Sequence, residues 1–460
     1  MCGVPVHSAE GYLLTLIRKG FRVAVCEQLE VPSEAKKRGS KAVVKRGVVR
    51  LVTPGTLTEE SLLDARRNNF LASLSVVRDS AAIAWVDIST GEFRVLPCSV
   101  ARFAPELARL LPREVIVSEL KQSDFLDLVH ESGAALTPVL PTAFDSQSAE
   151  NKLTELFSVE SLEVFGAFSR AEVSALGAIV EYLDLTQKGK LPLLRPPVRE
   201  AVTSTMQIDA ATRRNLELTR SLSGDRKGSL IDAIDQTVTA AGGRLLEARL
   251  SAPSRVLSTI ESRLESTKWF YDNSDARDDI RAHLKGCPDI QRALSRIAIG
   301  RCGPRDLTAI RSALGHFPEI ISVLGEGASV QFTGWTDSLS EFGNLFDLLD
   351  YSLVSEPPLL ARDGGFIATG CNEELDEARK LRDEGRSVIA RFQSEYAQIT
   401  SVGSLKIKHN NVLGYFIETP ATHAEKMLSA PLSDQFIHRQ TTANAVRFTT
   451  VDLSEIETKI

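Results

Sequence analysis

Two short stretches near the C-terminal end of the chain combine cations, amides and hydroxyls in a pattern that suits phosphate binding. Lys406 and Lys408 alternate with Leu405 and Ile407, and this period of two predicts a strand. The second stretch carries a similar polar set: Arg439, Gln440, Thr441, Asn444 and Arg447. Such groups bind phosphate oxygens without choosing a base sequence. Because Glu418, Glu425 and Asp434 dilute the positive charge, an ordinary solvated sheet stays open as the alternative.

A second basic region, residues 36–50, reads KKRGSKAVVKRGVVR and holds seven basic and no acidic residues. Alternation in Val43–Val52 predicts a strand that displays several of these cations on one edge or face. The alternative is a solvated loop and edge strand that lysine keeps from aggregating. The formal charge of the chain, 54 − 60 = −6, hides this local excess, so it does not argue against nucleic acid as a partner.

The sequence shows no pattern typical of catalysis or of a bound metal ion. Asp87 lies on a predicted strand, but only Glu92 and Glu114 accompany it loosely. A two-metal nuclease needs several converging carboxylates, so we interpret Asp87 as structural. Three histidines lie fourteen and fifteen residues apart, unlike the short ligand pairs of zinc sites: His409, His423 and His438.

A phosphate loop for nucleotides is also missing from the sequence. The single Gly-Lys pair, Gly189–Lys190, is followed by leucine and lacks a glycine five residues earlier, so it does not match GxxxxGK[ST]. We therefore predict no catalytic residue, no metal ion and no cofactor for this chain.

Residues from about 57 to 200 are predicted to form an α/β domain. Ala81–Leu96 predicts two strands joined by a turn at Ser89–Gly91, and Glu114–Ser118 predicts another strand after an amphipathic helix. This alternation favours a mixed sheet with helices packed on it. The proline-rich stretch Leu191–Glu200 is the predicted boundary.

A helical pattern follows from about residue 204 to residue 400. Gly303, Pro304 and Asp306 form a helix-start signature, because proline fits the first turn and the carboxylate can accept free N–H groups. Asn372–Ile399 keeps its apolar residues on one stripe and predicts a single long helix, with Gly385 as a weak point.

The phosphate-binding stretches are predicted to lie on two hairpins that follow this long helix. Ser404–Thr419 and Phe436–Thr450 each read as a hairpin, with turns near His409–Asn411 and Thr441–Asn444. A helical pattern returns after Asp452. We therefore expect a β module inserted between an outgoing helix and a returning one.

Composition places the chain among ordinary globular proteins. Its 460 residues are 43% hydrophobic and 25% charged, and this length predicts two to four domains. No apolar run approaches the roughly 20 residues of a membrane span, and the N-terminus does not form a secretion signal. The six cysteines are at least fifteen residues apart, so no dithiol or zinc motif is formed. We expect a cytoplasmic protein without a membrane partner.

Nine stretches, in the same order along the chain, resemble the MutS family of DNA mismatch-recognition proteins, and the resemblance runs nearly from end to end. They are CGVPVHSAEGYL (2–13), VAVCEQLE (23–30), VVRLVTPGT (48–56), DISTGEF (87–93), MQIDAATRRNLEL (206–218), RCGPRDL (301–307), GCNEELDEAR (370–379), LGYFIE (413–418) and FIHRQTTANAVRFTT (436–450).

The resemblance implies a multidomain fold of the α/β plus all-α class. It divides the chain into a partial mismatch-binding domain (1–56), an RNase H-like α/β connector without catalytic function (57–203), a helical core and lever (204–398), an inserted β clamp (399–452) and the start of the returning lever helix (453–460).

The resemblance also implies which side chains contact the DNA backbone. In the clamp they are Lys406, Lys408, Asn410, Arg439, Gln440, Thr441, Asn444 and Arg447. A second candidate set lies in the basic stretch: Lys41, Lys45, Arg46 and Arg50.

Two parts of the family pattern are not found in this sequence. The Phe-x-Glu motif that contacts the mismatched base should precede the CGVP stretch, and the ATPase domain should follow the returning lever. We therefore expect an incomplete chain that is not an enzyme as it stands, with ATP and Mg belonging to the full-length family. The family pattern implies mismatched duplex DNA, a MutL-type repair partner and a homodimer as partners.

Two functional hypotheses follow. In the first, the chain is a mismatch repair protein of the MutS type that binds duplex DNA through its clamp. In the second, it is a protein-interaction fragment that binds a repair partner through the connector and hardly binds DNA alone. Gel shifts with duplex DNA beside pull-downs with a MutL-type partner would separate them.

Overall fold

The computed structural model describes residues 3–5, 8–39, 42–325, 332–410, 413–442 and 444–459. The chain divides into two compact units, which we call unit 1 (Met1–Phe366) and unit 2 (Ile367–Ile460). The mixture of α/β and helical regions that the sequence predicts is confirmed. No described helix is both long enough and apolar enough to cross a bilayer.

Unit 1 begins with two helices and a two-stranded antiparallel sheet. They are α1 (Ala9–Arg18), β1 (Val23–Gln28), α2 (Pro32–Lys37) and β2 (Arg46–Val52). Gly20 follows the first helix with a φ of +81°, which favours glycine. Leu13 and Ile17 of α1 pack with Val52 in a small core.

A six-stranded mixed sheet forms the next part of unit 1. Its strands are β3 (Leu71–Val77), β4 (Ser80–Asp87), β5 (Glu92–Cys98), β6 (Glu114–Ser118), β7 (Ala135–Val139) and β8 (Val198–Arg199). The order is β7-β6-β3-β4-β5-β8, in which β3, β4 and β5 are antiparallel neighbours and the other pairs are parallel. The predicted strand pair and its turn at Ser89–Gly91 are confirmed.

Helices cover both faces of this sheet, which explains the nearly continuous apolar sequence of β4. They are α3 (Phe103–Leu110), α4 (Gln122–Ser132), α5 (Ser146–Phe157) and α6 (Arg170–Gln187). Helix α6 is buried along most of its length against one face, where Ile179 and Leu183 lie in the main core. Phe103 and Leu107 of α3 pack in the second core, on the other face, with Trp85.

The rest of unit 1 is helical, as predicted. Its helices are α7 (Ala210–Asn215), α8 (Leu230–Ile234), α9 (Ala240–Ser251), α10 (Leu257–Asp272), α11 (Ser274–Lys285), α12 (Ile290–Ala298), α13 (Pro304–Gly315), α14 (Phe317–Gly325), α15 (Thr333–Leu339) and α16 (Gly343–Ser352). The helix-start signature is confirmed, because Pro304 is the first residue of α13 and Asp306 accepts the N–H of Gly303 at 2.8 Å.

Unit 2 consists of a long helix, a four-stranded antiparallel sheet and three shorter helices. The elements are α17 (Glu373–Thr400), β9 (Lys406–Asn410), β10 (Gly414–Pro420), α18 (Ala421–Leu428), α19 (Leu432–Gln435), β11 (Ile437–Thr441), β12 (Ala445–Thr449) and α20 (Val451–Lys459). The predicted long helix is confirmed and is capped by Asn372, whose Oδ1 accepts the N–H of Leu375 at 2.8 Å. It continues across Gly385, so the predicted weak point does not interrupt it.

Candidate nucleic-acid interface

One face of the sheet of unit 2 is apolar and packs against α17. The opposite face of the sheet therefore points away from this core. Its strand order is β11-β12-β10-β9. Ile417 and Phe448 on the two central strands pack with Tyr396 of α17 in a core of buried residues. The hydroxyl groups of Tyr396 and Thr450 are 2.7 Å apart, and Gln393 of α17 accepts the N–H of Ile407 at 3.0 Å. Because strand residues alternate between faces, the neighbours of Ile417 and Phe448 point away from this core.

The face opposite the core carries most of the charged side chains of the sheet. The register places Lys406 opposite Glu418, Glu418 opposite Arg447, and Arg447 opposite Gln440. One row therefore crosses all four strands. We call this surface the outer face and define it by six residues: Lys406, Lys408, Phe416, Glu418, Gln440 and Arg447.

Hydrogen bonds link the members of the outer face across the sheet. Lys408 Nζ donates to Glu418 Oε1 at 2.6 Å, and Arg447 Nε donates to Glu418 Oε2 at 3.1 Å. A third bond joins an Arg447 Nη atom to Gln440 Oε1 at 2.9 Å. The guanidinium of Arg447 also lies over the buried ring of Phe416, 4.6 Å from its centroid, in a cation–π contact.

Glu418 therefore organises two cations and neutralises only part of their charge. The hydrogen bond from Lys408 lowers the pKa of Glu418 below its usual range, and Arg447 adds to this effect. The three cations and one carboxylate of the outer face carry a formal charge of 3 − 1 = +2. The residual positive charge is in an arrangement that can hydrogen-bond to phosphate oxygens.

Two cations on the strands of this sheet remain available to a ligand. Lys406 is exposed on the outer face, and Arg439 is exposed at the β-bulge that shifts the register of β11 against β12. Within the described part of the chain, neither side chain has a hydrogen bond or an ion pair. A bulge re-aims side chains, which here places a guanidinium at the exposed edge of the sheet.

The other three predicted side chains lie at the ends of the hairpins. Asn410 Oδ1 accepts the N–H of Leu413 at 2.8 Å in the β9–β10 turn. Thr441 Oγ1 is 2.9 Å from the Nε2 atom of His438, and Asn444 is exposed just before β12. Since β10 and β12 are antiparallel with Pro420 opposite Ala445, the two turns lie at opposite ends of the sheet. The structure does not bring all eight side chains together.

The basic stretch of unit 1 is less uniform than the sequence predicts. Lys41 lies outside the described residues. Lys45 and Arg46 are exposed, and the backbone N–H of Lys45 is bonded to Glu30 at 2.6 Å. Arg50, by contrast, is half-buried on β2 and forms an ion pair with Glu59. This position does not fit the DNA-facing role predicted for Arg50, because the carboxylate of Glu59 occupies its guanidinium.

The carboxylates considered for catalysis have structural partners. Asp87 is fully buried at the end of β4 and accepts the N–H groups of Asn69 and Ser89 at 3.0 and 2.9 Å. Glu114 is also fully buried, whereas Glu92 pairs with Arg94 at 2.7 Å. Among the described residues, no three His, Cys, Asp or Glu side chains are grouped to hold a metal ion.

Comparison with known proteins places the chain in a family. Family models match in chain order and cover most of the sequence: MutS domain I at residues 1–61, MutS domain II at residues 69–195 and MutS domain III at residues 211–441. The chain belongs to the MutS family. The family resemblance found in the sequence is thus confirmed.

Several bacterial members of the MutS family are closely similar over the whole of this chain. The DNA mismatch repair protein MutS of Roseobacter denitrificans is 63% identical over 461 residues, which is 100% of this chain and 52% of that protein. The proteins of the same name from Paracoccus denitrificans and Ruegeria pomeroyi are each 62% identical, again over 100% of this chain and over 52% and 53% of their own lengths. The chain spans about half the length of these relatives.

Sequence reasoning found the cations of this MutS chain but not their counter-ions. The sequence analysis treated Glu418 only as a negative charge that reduces the positive charge of the region. In the structure, the carboxylate of Glu418 forms ion pairs with both Lys408 and Arg447. The alternation of Phe416, Glu418 and Pro420 along β10 was a usable signal, because it places Glu418 on the same face as Lys408 once the hairpin register is known.

Proposed function

We propose that this chain acts in DNA mismatch repair and binds the backbone of duplex DNA through the outer face and the adjacent Arg439. The observation that carries the proposal is the exposed, unpaired state, within the described residues, of Lys406 on the +2 outer face and of Arg439 beside it. Lysine and arginine at such positions neutralise phosphates and release condensed counterions, so binding would depend on salt and not on base sequence.

The charged residues of the outer face and the adjacent Arg439 have different roles in this proposal. Lys406 and Arg439 supply the charges that approach phosphate. Lys408 and Arg447 donate further hydrogen bonds while Glu418 holds their side chains in fixed positions, and such pre-organisation lowers the entropy cost of binding. Because Glu418 also repels phosphate, we expect only about three phosphates to be neutralised.

We propose the domain assignments in the same way. The meander β3-β4-β5 with β6 and β7 added in parallel beside β3 supports an RNase H-like connector over 57–203. The sheet placed between α17 and α20 supports a clamp over 399–452, followed by a returning lever from 453. We assign residues 1–56 to the mismatch-binding domain and 204–398 to the core and lever.

Further DNA contacts would come from the two turns of the clamp, through Asn410, Thr441 and Asn444. Lys45 and Arg46 would add contacts from residues 1–56.

For the wider context we propose a cytoplasmic protein that meets mismatched duplex DNA and a MutL-type partner. We assign no ATP hydrolysis to this chain, and we attribute ATP, Mg and homodimer formation to the full-length family.

Fluorescence anisotropy with short labelled duplexes tests the DNA-binding proposal. We expect the double substitution Lys406→Gln and Arg439→Gln to weaken binding about tenfold, equally for matched and mismatched duplexes, because only backbone contacts are lost. The matched control is Lys268→Gln with Arg305→Gln, which removes the same charge from exposed positions in the helical part of unit 1. Equal weakening by both double variants would overturn the proposal, and so would a loss restricted to mismatched duplexes.

The second candidate function is a protein-interaction role without DNA binding. It is favoured by one observation, namely that Lys408, Arg447 and Arg50 already form ion pairs with carboxylates within the chain. In that case the chain would capture a MutL-type partner in a pull-down while showing no shift of duplex DNA at low salt. Duplex binding that is lost in the Lys406 and Arg439 double variant would rule this alternative out.

A further inference from the structure

A cavity of about 250 Å³ in unit 1 is lined by far more positive than negative side chains. Its walls come from Trp85 of β4, from α3, and from Arg249 of α9 and Arg263 of α10. The lining contains eight arginines and three glutamates, an excess of 8 − 3 = +5. None of these residues belongs to the outer face, so the proposed duplex binding does not explain them.

Half of the arginines are fixed in the wall of the cavity by carboxylates. The ion pairs are Arg67 with Glu247, Arg94 and Arg109 with Glu200, and Arg244 with Asp289, with N–O distances of 3.3, 3.2, 3.1 and 2.6 Å. Arg244 is only 4% exposed. These ion pairs hold the walls of the cavity in place. They also engage the carboxylates that could otherwise neutralise the remaining arginines.

The other four arginines have no such partner. The side chains of Arg113, Arg220, Arg249 and Arg263 form no hydrogen bond or salt bridge within the described residues of the chain. The Nε atom of Arg220 is buried without an acceptor. A buried unpaired donor is costly, and in a native structure it points to a group that is satisfied by something else. Arg113 and Arg249 are exposed, so a ligand can reach them from solvent.

Arg113 and Arg220 are also repelled by neighbouring guanidinium groups. Although part of its side chain is exposed, burial of the rest lowers the pKa of Arg113, and the charge of Arg67 lowers this pKa further, while Asp64 and Glu247 partly offset both effects. Burial lowers the pKa of Arg220 as well, and both Arg67 and Arg113 add to the effect. Because a guanidinium keeps its proton in proteins, this repulsion cannot be relieved by deprotonation. A bound anion would relieve it.

We propose that this cavity binds a small phosphate-bearing anion through the guanidinium groups of Arg113, Arg220 and Arg249. The planar forks of arginine match the oxygens of phosphate and of carboxylate in pairs. The excess of five positive charges in the lining favours the more highly charged phosphate-bearing anions. The cavity is smaller than the roughly 300–1,000 Å³ of pockets for drug-sized ligands, so it fits pyrophosphate or the phosphate end of a larger molecule. A duplex presents its phosphates on a convex surface that does not enter such a cavity.

Titration calorimetry of the full chain with pyrophosphate tests this inference. We expect Arg113→Gln and Arg249→Gln each to weaken binding about tenfold, through loss of a charge-assisted pair of hydrogen bonds. The control Arg305→Gln removes an exposed arginine outside the cavity and should leave the affinity unchanged. Equal affinities for the control and both cavity variants would overturn the inference, as would the absence of binding to the unmodified chain.

A second readout separates a binding role from a structural one. Since Arg113→Gln removes one of several repelling charges, the melting temperature without ligand should stay the same or rise. A lower melting temperature together with unchanged pyrophosphate affinity would show that Arg113 is structural and would overturn the inference.

Competition experiments identify the source of the phosphate. Citrate should bind at least tenfold more weakly than pyrophosphate, and equal binding would contradict phosphate recognition. Binding of ATP with the same sensitivity to Arg113→Gln supports a nucleotide as the source, whereas binding of pyrophosphate alone supports a free anion. If a short duplex or polyglutamate displaces pyrophosphate and itself loses binding in Arg113→Gln, the cavity serves a macromolecule and the inference fails.

Discussion

The six-stranded sheet of unit 1 and the four-stranded sheet of unit 2 each place a glutamate on a strand, but the two carboxylates have different surroundings. Glu114 of β6 is fully buried and accepts hydrogen bonds from four neutral groups: the hydroxyls of Thr53, Thr137 and Tyr182 and the N–H of Gly55. Glu418 of β10 is half-buried, and its partners are the cations Lys408 and Arg447.

The difference between the two carboxylates indicates a structural role for Glu114 in the sheet of unit 1 and a binding role for the sheet of unit 2. The donors around Glu114 come from α6, from β7 and from the segment after β2, so this buried carboxylate ties several elements together and is not accessible to a ligand. Burial and the charge of Glu114 raise the pKa of Tyr182, which therefore stays a hydrogen-bond donor. Glu418 instead leaves a positive excess on an accessible surface. We therefore interpret Glu114 as a structural centre and Glu418 as part of an interaction surface.

Among the substitutions that test this contrast, Glu114→Ala should have the largest effect on stability. Glu114→Ala leaves four buried donors without an acceptor, so we expect the local opening free energy of β6 to fall by about 3–5 kcal/mol. Hydrogen exchange followed by mass spectrometry measures this for β6 and α6. Exchange in β10 should be unchanged. The control Glu119→Ala, at an exposed position just after β6, should change the opening free energy by less than about 0.5 kcal/mol.

Substitution of Asp87 should have a smaller effect of the same kind. Asp87→Ala removes the acceptor for the N–H groups of Asn69 and Ser89 and for the hydroxyl of Ser89 at 2.6 Å. We expect the opening free energy of β4 to fall by about 2–3 kcal/mol, with duplex binding unaffected. The exposed residue Asp127 supplies the control substitution, to alanine. Unchanged hydrogen exchange in β4 would contradict the structural role of Asp87. A magnesium-dependent nuclease activity that is present in the unmodified chain and lost in Asp87→Ala would contradict it as well.

Substitution of Glu418 should weaken the fold slightly and strengthen DNA binding. Glu418→Gln raises the formal charge of the outer face from +2 to +3, so duplex affinity at low salt should rise about twofold to fivefold. The exposed acid Glu425 of α18 lies outside the outer face, so Glu425→Gln provides the control in the same anisotropy assay. Weaker duplex binding by Glu418→Gln would show that positioning of the cations matters more than their net charge.

The pH dependence of the same variant follows from the lowered pKa of Glu418. A lowered folded-state pKa contributes stability above the unfolded value of about 4.3, and this contribution is lost as the pH falls through the folded-state pKa. At neutral pH the unmodified chain should therefore be more stable in unit 2 than Glu418→Gln by about 0.5–1 kcal/mol. Hydrogen exchange of β10 should show this difference shrinking under acidic conditions. A difference that grows on acidification would contradict the assignment.

Local sequence patterns were sufficient to predict the positions of the outer-face cations. Period-two alternation placed Lys406 and Lys408 on one face of a strand, and the apolar stripe of α17 predicted the helix that covers the opposite face. The same patterns predicted the paired strands β4 and β5, because turn residues separate two apolar runs.

Long-range pairing explains what the sequence did not predict. The ion pair of Arg50 with Glu59 and the bridging position of Glu418 depend on strand register and loop path, which alternation alone does not fix. The bulge that exposes Arg439 is likewise a property of the β11–β12 pairing. The arginine cavity is the extreme case, because its lining residues come from segments as far apart as Arg67 and Arg263.

The salt dependence of duplex binding tests the central claim most directly. For about three neutralised phosphates, the slope of log K against log salt concentration should be about −0.9 × 3 = −2.7 for the unmodified chain. Removing Lys406 and Arg439 together should reduce this slope to about −0.9, because two of the three phosphate contacts are lost. The same slope in both proteins, or an affinity that does not change with salt, would contradict the assignment of the outer face and Arg439 as the DNA-backbone interface.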